Sequence, residues 1–197
     1  LQAKNLTEQG EILFKIFMKN ERHPQSGPEN EGSRSQSFEI HFDGEHFGDI
    51  KRAVGTLELV AELNEWWDNI CTTKKLNPKD KELEAVGYCI IELGKNSLEN
   101  TEGGQIQVIF ESNQITVVVS DGKGWDGDPN DDLLYGSPGH GLSEVKSYAD
   151  GFMIETNGAK YTKVPGEENL AKTEDTEVKQ GTKITFIKNF NNTSHLG

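Results

Sequence analysis

Residues 79–125 read KDKELEAVGYCIIELGKNSLENTEGGQIQVIFESNQITVVVSDGKGW, and one periodicity gives way to another inside this stretch. From Lys79 to Asn100, Leu83, Val86, Ile90 and Leu93 recur at spacings of three and four, the stripe of an amphipathic helix. Gly103-Gly104 stops that helix. Beyond it Ile106, Val108 and Phe110 alternate with polar neighbours, Ser112-Asn113 supplies a turn, and Ile115 to Val119 is almost entirely β-branched. That last run is the composition of a central strand. A helix running directly into a hairpin, with one strand buried enough to need no alternation, predicts helices packed against a sheet.

The pattern extends in both directions. Upstream, Leu57, Val60, Ala61, Leu63, Trp67 and Ile70 predict a helix over about 48–75, with Trp66 and Trp67 in the core and at its rim, and Asn77-Pro78 marks the break before the next helix. Phe38, Ile40 and Phe42 share one side of a strand, and residues 12–18 form a further apolar run. Residues 21–37, rich in Ser, Pro, Gly, Glu and Asn, read as a linker. Downstream, 121–141 holds six Gly, two Pro and four Asp beyond Asp121, with little periodicity. A loop of that length is commonly functional. A short helix over 142–149, a strand over 152–156, a polar hairpin or loop over 158–180 and a last strand over 182–188 complete the series. The expectation is an α+β fold, a two-layer α/β sandwich with helices on one face of a mixed, mostly antiparallel sheet. Residues 1–36 would be a strand plus flexible linker, 37–190 the domain, and 191–197 a tail.

Composition narrows the function before any motif is read. The 197 residues carry a formal charge of −13, which argues against phosphate neutralisation on nucleic acid and against polybasic binding to a membrane surface. No apolar run approaches the ~20 residues needed to span a bilayer. Cys71 and Cys89 lack metal-ligand spacing and read as small buried hydrophobes. With no signal peptide visible and Leu1 in first place, the expectation is a fragment or processed chain from the cytoplasm.

Four groups of residues could carry chemistry. Glu92, Asn96 and Asn100 stand at i, i+4 and i+8 on one helix face, a carboxylate that can orient water beside amides that can complete a Mg²⁺ shell. Ser120-Asp121-Gly122-Lys123-Gly124-Trp125 follows a strand directly, and an acid at a strand end can receive a base's amino group. Gly139-His140-Gly141-Leu142 opens a helix whose N–H groups and dipole favour an anion. Gly181-Thr182 precedes the last strand. Asp126, Asp128, Asp131 and Asp132 cluster in the loop between and read as a solvated run, with a metal-dependent hydrolase centred on them and Glu92 as the weakest reading.

Taken in order, these groups resemble the GHKL ATPases with the Bergerat fold, over roughly Ser37 to Phe190. Glu92-Leu93-Gly94-Lys95-Asn96-Ser97 looks like the N box, Ser120 to Trp125 the first glycine box, Gly139 to Leu142 the second, and Gly181-Thr182 the third. Size and the text Gly-Leu-Ser-Glu-Val-Lys-Ser-Tyr-Ala-Asp are most similar to anti-sigma-factor kinases, with histidine kinase catalytic domains next. The resemblance implies ATP and Mg²⁺ as cofactors and a regulatory protein partner. It implies Glu92 as base or water orienter, Asn96 as metal ligand with Asn100 near the metal or its waters, Ser120 or Asp121 with Thr182 as adenine contacts, and Gly139, His140, Gly141 and Leu142 around the phosphates. The chain departs from the family at two places, one of them Asn100, where many members carry His or Asp. Registering Gly122 and Gly124 on the family's Asp-x-Gly-x-Gly puts Ser120 where the adenine-binding Asp belongs, unless Asp121 turns in to replace it. The alternative is therefore an interaction module that keeps the fold without nucleotide. Residues 1–36 could add a strand to the sheet edge or exchange with a second copy to make a homodimer.

Overall fold

The structure, a computed structural model, describes residues 35–43, 49–101, 103–135, 141–174 and 176–190. The predicted strand at 12–18, most of the linker, Gly139, His140 and the 191–197 tail lie outside the described residues. Within them the chain forms β1 (Gln36–Asp43), α1 (Asp49–Lys74), α2 (Lys81–Asn100), β2 (Gly103–Phe110), β3 (Gln114–Asp121), α3 (Pro129–Tyr135), α4 (Gly141–Tyr148), β4 (Gly151–Thr156), β5 (Ala159–Lys163), β6 (Leu170–Thr173) and β7 (Thr182–Asn189). The fold is α+β: one open sheet in the order β1-β2-β3-β7-β4-β5-β6, with four helices.

Every pairing in that sheet is antiparallel, which corrects the expectation of a mixed sheet. The reason lies in β7. β3 and β4 run in the same direction and would pair in parallel as neighbours, but the last strand enters between them, antiparallel to both.

Alternation along the strands assigns one face to the core. Phe38 and Ile40 on β1 pair with Val108 and Ile106 on β2, and Phe110, Val108 and Ile106 pair in turn with Ile115, Val117 and Val119 on β3. The rows continue through Phe186 and Ile184 on β7 to Phe152 and Ile154 on β4. α1 and α2 cover this face. Trp67 of α1 stacks on Phe110 with ring centroids 6.4 Å apart, while Phe38 meets the same ring edge-on at 5.8 Å. Both tryptophans of α1 are buried. At ~1.5–3 kcal/mol per fully buried large apolar side chain, these rows dominate the folding free energy.

Two glycines inside α2 have a packing reason. A Cβ on Gly87 would come within 2.8 Å of the Trp67 indole, and one on Gly94 within 2.6 Å of Leu63 Cδ1 and 3.0 Å of Ile106 Cδ1. α2 therefore approaches α1 and the sheet closely where it carries the candidate residues. Its start is set by Asp80, whose carboxylate accepts from the Glu82 amide at 3.0 Å, an N-cap worth ~1 kcal/mol.

Cys71 and Cys89 are buried and unpaired, and burial pushes both thiols up to about 12. The 121–141 stretch is not all loop. Asp128 caps α3 by accepting from the Asn130 amide at 2.9 Å, and Leu133 anchors the helix in the core. The 158–180 segment pairs as β5 and β6, with Asn157 and Gly158 at φ +49° and +83° turning the chain between β4 and β5. Among the described residues, no helix is long and apolar enough to cross a membrane.

Candidate functional site

The core face of the sheet ends in a polar row. Beyond Val119, Ile184 and Ile154 the next register is Asp121 on β3, Thr182 on β7 and Thr156 on β4, each paired directly with its neighbour. Asp121 shares the parity of Val117 and Val119, so it belongs to the side on which the helices pack. Ser120 has the opposite parity and pairs with Lys183 and Gln105. The structure thus assigns the two adenine-contact candidates to opposite faces and aligns Asp121, not Ser120, with Thr182.

A web of short bonds fixes this row. Asp121 Oδ1 accepts from the Lys123 amide at 3.0 Å. Thr182 Oγ1 donates to the Lys123 carbonyl at 2.8 Å, and Thr156 Oγ1 accepts from the Trp125 amide at 2.8 Å. The two threonine hydroxyls lie 3.3 Å apart. Gly181, at φ +85°, brings its backbone so close to the Asp121 carbonyl that a Cβ would overlap it. Burial raises the Asp121 carboxyl from its ordinary value to about 6, with the Lys123 and Thr182 amides and the Lys123 charge pulling the other way. An acid held half-buried by backbone donors, with uncharged hydroxyls beside it, is suited to bind one polar group of a mostly apolar ligand.

The second cluster forms where α4 crosses α2. Tyr88 and Glu92 lie one helical turn apart on α2. The Tyr88 hydroxyl donates to Glu144 and its ring meets Tyr148 edge-on at 5.8 Å, both residues of α4. Glu92, one turn further along α2, lies against Gly141 at the first residue of α4, so close that no Cβ fits there. α4 therefore runs antiparallel to α2 across this stripe. Asn96 lies one further turn, ~6 Å, along α2 from Glu92. Glu92 and Gly141, some fifty positions apart in the chain, are brought together. Lys95 Nζ lies 3.5 Å from Glu92 Oε2, which supplies a cation beside the carboxylate.

α2 also links the two clusters. Ser97, next to Asn96, is buried, and a Cβ on Gly104 would meet Ser97 Oγ at 2.6 Å and the Ser120 carbonyl at 2.9 Å. The Asn96 turn of α2 therefore rests on the end of the sheet that carries Asp121.

The remaining sequence candidates are placed as follows. Asn100 is exposed and donates to the Asn96 carbonyl at 2.8 Å, satisfying the end of its own helix rather than joining Glu92. Gly122 has open space around its Cα, whereas Gly124 lies against the Asn157 side chain. Leu142 is half-buried against the core. The loop acids are occupied singly: Asp126 lies 3.5 Å from Lys123, Asp128 caps α3, and Asp132 accepts from the Trp125 indole at 2.7 Å. Among the described residues, no three His, Cys, Asp or Glu side chains gather into a metal cage. Thr156 is a site residue that the sequence reading passed over, and Trp125 and Ser97 closed two of the quoted motifs without being given a role. A threonine ending an apolar strand has no spacing signature, but Val117, Val119 and Asp121 do share one parity, and that signal was readable. No family model matches the chain, and no curated protein is similar to it in sequence.

Proposed function

We propose that the chain is a GHKL-type domain of the Bergerat fold that binds ATP with Mg²⁺ and acts on, or switches, a regulatory protein partner, as anti-sigma-factor kinases do. The observation that carries this reading is the register of Asp121 with Thr182. Two motifs sixty residues apart, each weak alone, are adjacent strand ends on the helix-packed face. The approach of Glu92 to Gly141 is independent support from the other two motifs.

In this reading Asp121 accepts the hydrogen bond from the adenine amino group and Ser120 has no part in it. Thr182 and Thr156 line the base side. The α4 N-terminus with Lys95 meets the phosphates. Asn96 would contribute to the Mg²⁺ shell, and Glu92 would orient or deprotonate the attacking hydroxyl or water. Mg²⁺, when bound, screens the phosphates from the acidic chain.

Calorimetric titration with ATP and Mg²⁺ tests the proposal. Asp121→Asn removes a charge-assisted bond of ~1.5–3 kcal/mol and weakens binding roughly tenfold to a hundredfold, while Ser120→Ala leaves it within about twofold. Affinity falls below pH 6 as Asp121 gains its proton. The second reading, a partner-binding module without nucleotide, is favoured by the charge of −13, which opposes an anionic ligand. It predicts no heat with ATP at any pH.

A further inference from the structure

Trp125 closes the turn that begins at Ser120, and it is held at three points. Its amide donates to Thr156 Oγ1 at 2.8 Å, its carbonyl accepts from Asn157 Nδ2 at 3.1 Å, and its indole Nε1 donates to Asp132 Oδ2 at 2.7 Å. The ring is half-buried against the core. Asp132 belongs to α3, and the next residue, Leu133, is the one that fixes α3 in the core. A single side chain therefore spans from α3 to the Asp121 turn.

The bonds reach Asp121 through the rotamer in which the Thr156 hydroxyl faces Thr182. Thr156 Oγ1, which accepts from the Trp125 amide, has one proton to give, either to the Gly181 carbonyl at 3.2 Å or to Thr182 Oγ1 at 3.3 Å. Thr182 gives its own proton to the Lys123 carbonyl, and the Lys123 amide gives its proton to Asp121. Each donor is used once, so both backbone polar groups of Lys123 are tied, the carbonyl to Thr182 and the amide to Asp121. A change at the Asp121 carboxyl alters the demand on the Lys123 amide, and the next rigid points along the chain of bonds are Thr182, Thr156 and Trp125.

We propose that Trp125 is a positioning residue, an indole latch that couples the seating of helix α3 to the state of the Asp121 carboxyl. The role of the latch in nucleotide binding rests on the function proposed above. The coupling itself does not. Lys123, on the same turn, is the charged side chain that acts on Asp121. β7 faces it with uncharged Thr182, Lys183 having the opposite parity, and α2 reaches this end of the sheet with uncharged Ser97.

The experiment is a pH titration of tryptophan emission on the ligand-free chain. The Asp121→Asn variant serves as reference, because Trp66 and Trp67 contribute to both proteins and cancel. The expected result is a transition between pH 5 and 7, centred near 6, in the difference between the wild type and Asp121→Asn. The transition disappears when Trp125 is replaced by Phe. It shrinks at least twofold in Asp132→Ala, an exposed change that leaves the core intact. It survives in Asp132→Asn, whose amide oxygen still accepts from the indole. Absence of a transition, or one unchanged by both Trp125→Phe and Asp132→Ala, overturns the coupling. With ATP and Mg²⁺, Trp125→Phe weakens binding about fivefold. No heat from ATP with the wild type counts against the nucleotide function alone, and the ligand-free transition then still decides the latch.

Discussion

Asp121 is under two opposed demands. Burial favours the protonated acid, whereas the proposed function, in which it accepts a ligand's amino group, requires the carboxylate. Its raised value of about 6 sets the consequence for stability. A carboxyl whose folded value exceeds the unfolded one binds its proton more tightly in the folded state. Its ionisation therefore costs stability above pH 6, and the cost vanishes as the pH falls toward 4. Asp121→Asn accordingly raises the melting temperature at pH 7, and the gain shrinks between pH 6 and pH 4, as calorimetric scans across that range would show. The same change weakens ATP, so stability and binding move in opposite directions. The glycines around the turn differ in a comparable way. Gly181 combines φ +85° with a backbone contact to Asp121, while Gly122 has a free Cα. Gly181→Ala costs roughly 1–3 kcal/mol in urea unfolding, and Gly122→Ala stays within about 0.5 kcal/mol.

At the scale of elements, α2 does most of the positioning. One side presents Leu83, Val86, Ile90 and Leu93 to the core, another carries Tyr88, Glu92 and Asn96 past α4, and its two interior glycines let it sit close to α1 and β2. Gly94→Ala would gain ~1 kcal/mol of helix propensity. Its methyl must displace Leu63 and Ile106, both buried, at an overpacking cost of ~1–3 kcal/mol. The expected outcome is a net loss of about 1 kcal/mol in urea unfolding, and a gain would mean that α2 is less tightly packed than described. Elements with a strong pattern were legible from sequence: α1, α2, the alternating strands β1 and β2 and the β-branched run of β3 fall within a few residues of their expected ends. α3 was not, because seven residues with Leu133 as the buried anchor, started by Pro129 and capped by Asp128, make too short a stripe to register against a Gly- and Asp-rich background. That the sheet is antiparallel throughout rather than mostly so was not legible either, since the insertion of β7 between β3 and β4 joins segments that no local pattern relates. At the site, glycine spacing pointed to Ser120 while strand parity pointed to Asp121. Parity follows from which face is buried, and that physical constraint is the stronger of the two.

For the molecule as a whole, one hydrophobic core runs unbroken from β1 to β6 under the helices, and the polar row and the α2–α4 contact lie at one end of it. The acid excess lies outside the core. Asp126, Asp128, Asp131 and Asp132 surround α3, and Glu167, Glu168, Glu174 and Glu177 decorate the segments around β6. In the proposed function a nucleotide's phosphates would therefore rely on a few local cations, Lys95 and Lys123 among them, and on a divalent metal rather than on the general field of the protein. That dependence makes magnesium part of the central claim. Its most direct test is calorimetric titration of ATP into the wild type and into Asp121→Asn, at pH 7.5 and with or without Mg²⁺. The account predicts saturable binding to the wild type that weakens when Mg²⁺ is withheld, and that falls tenfold or more in Asp121→Asn. Wild-type heat that is absent, or unchanged by the Asp121 substitution, would contradict it.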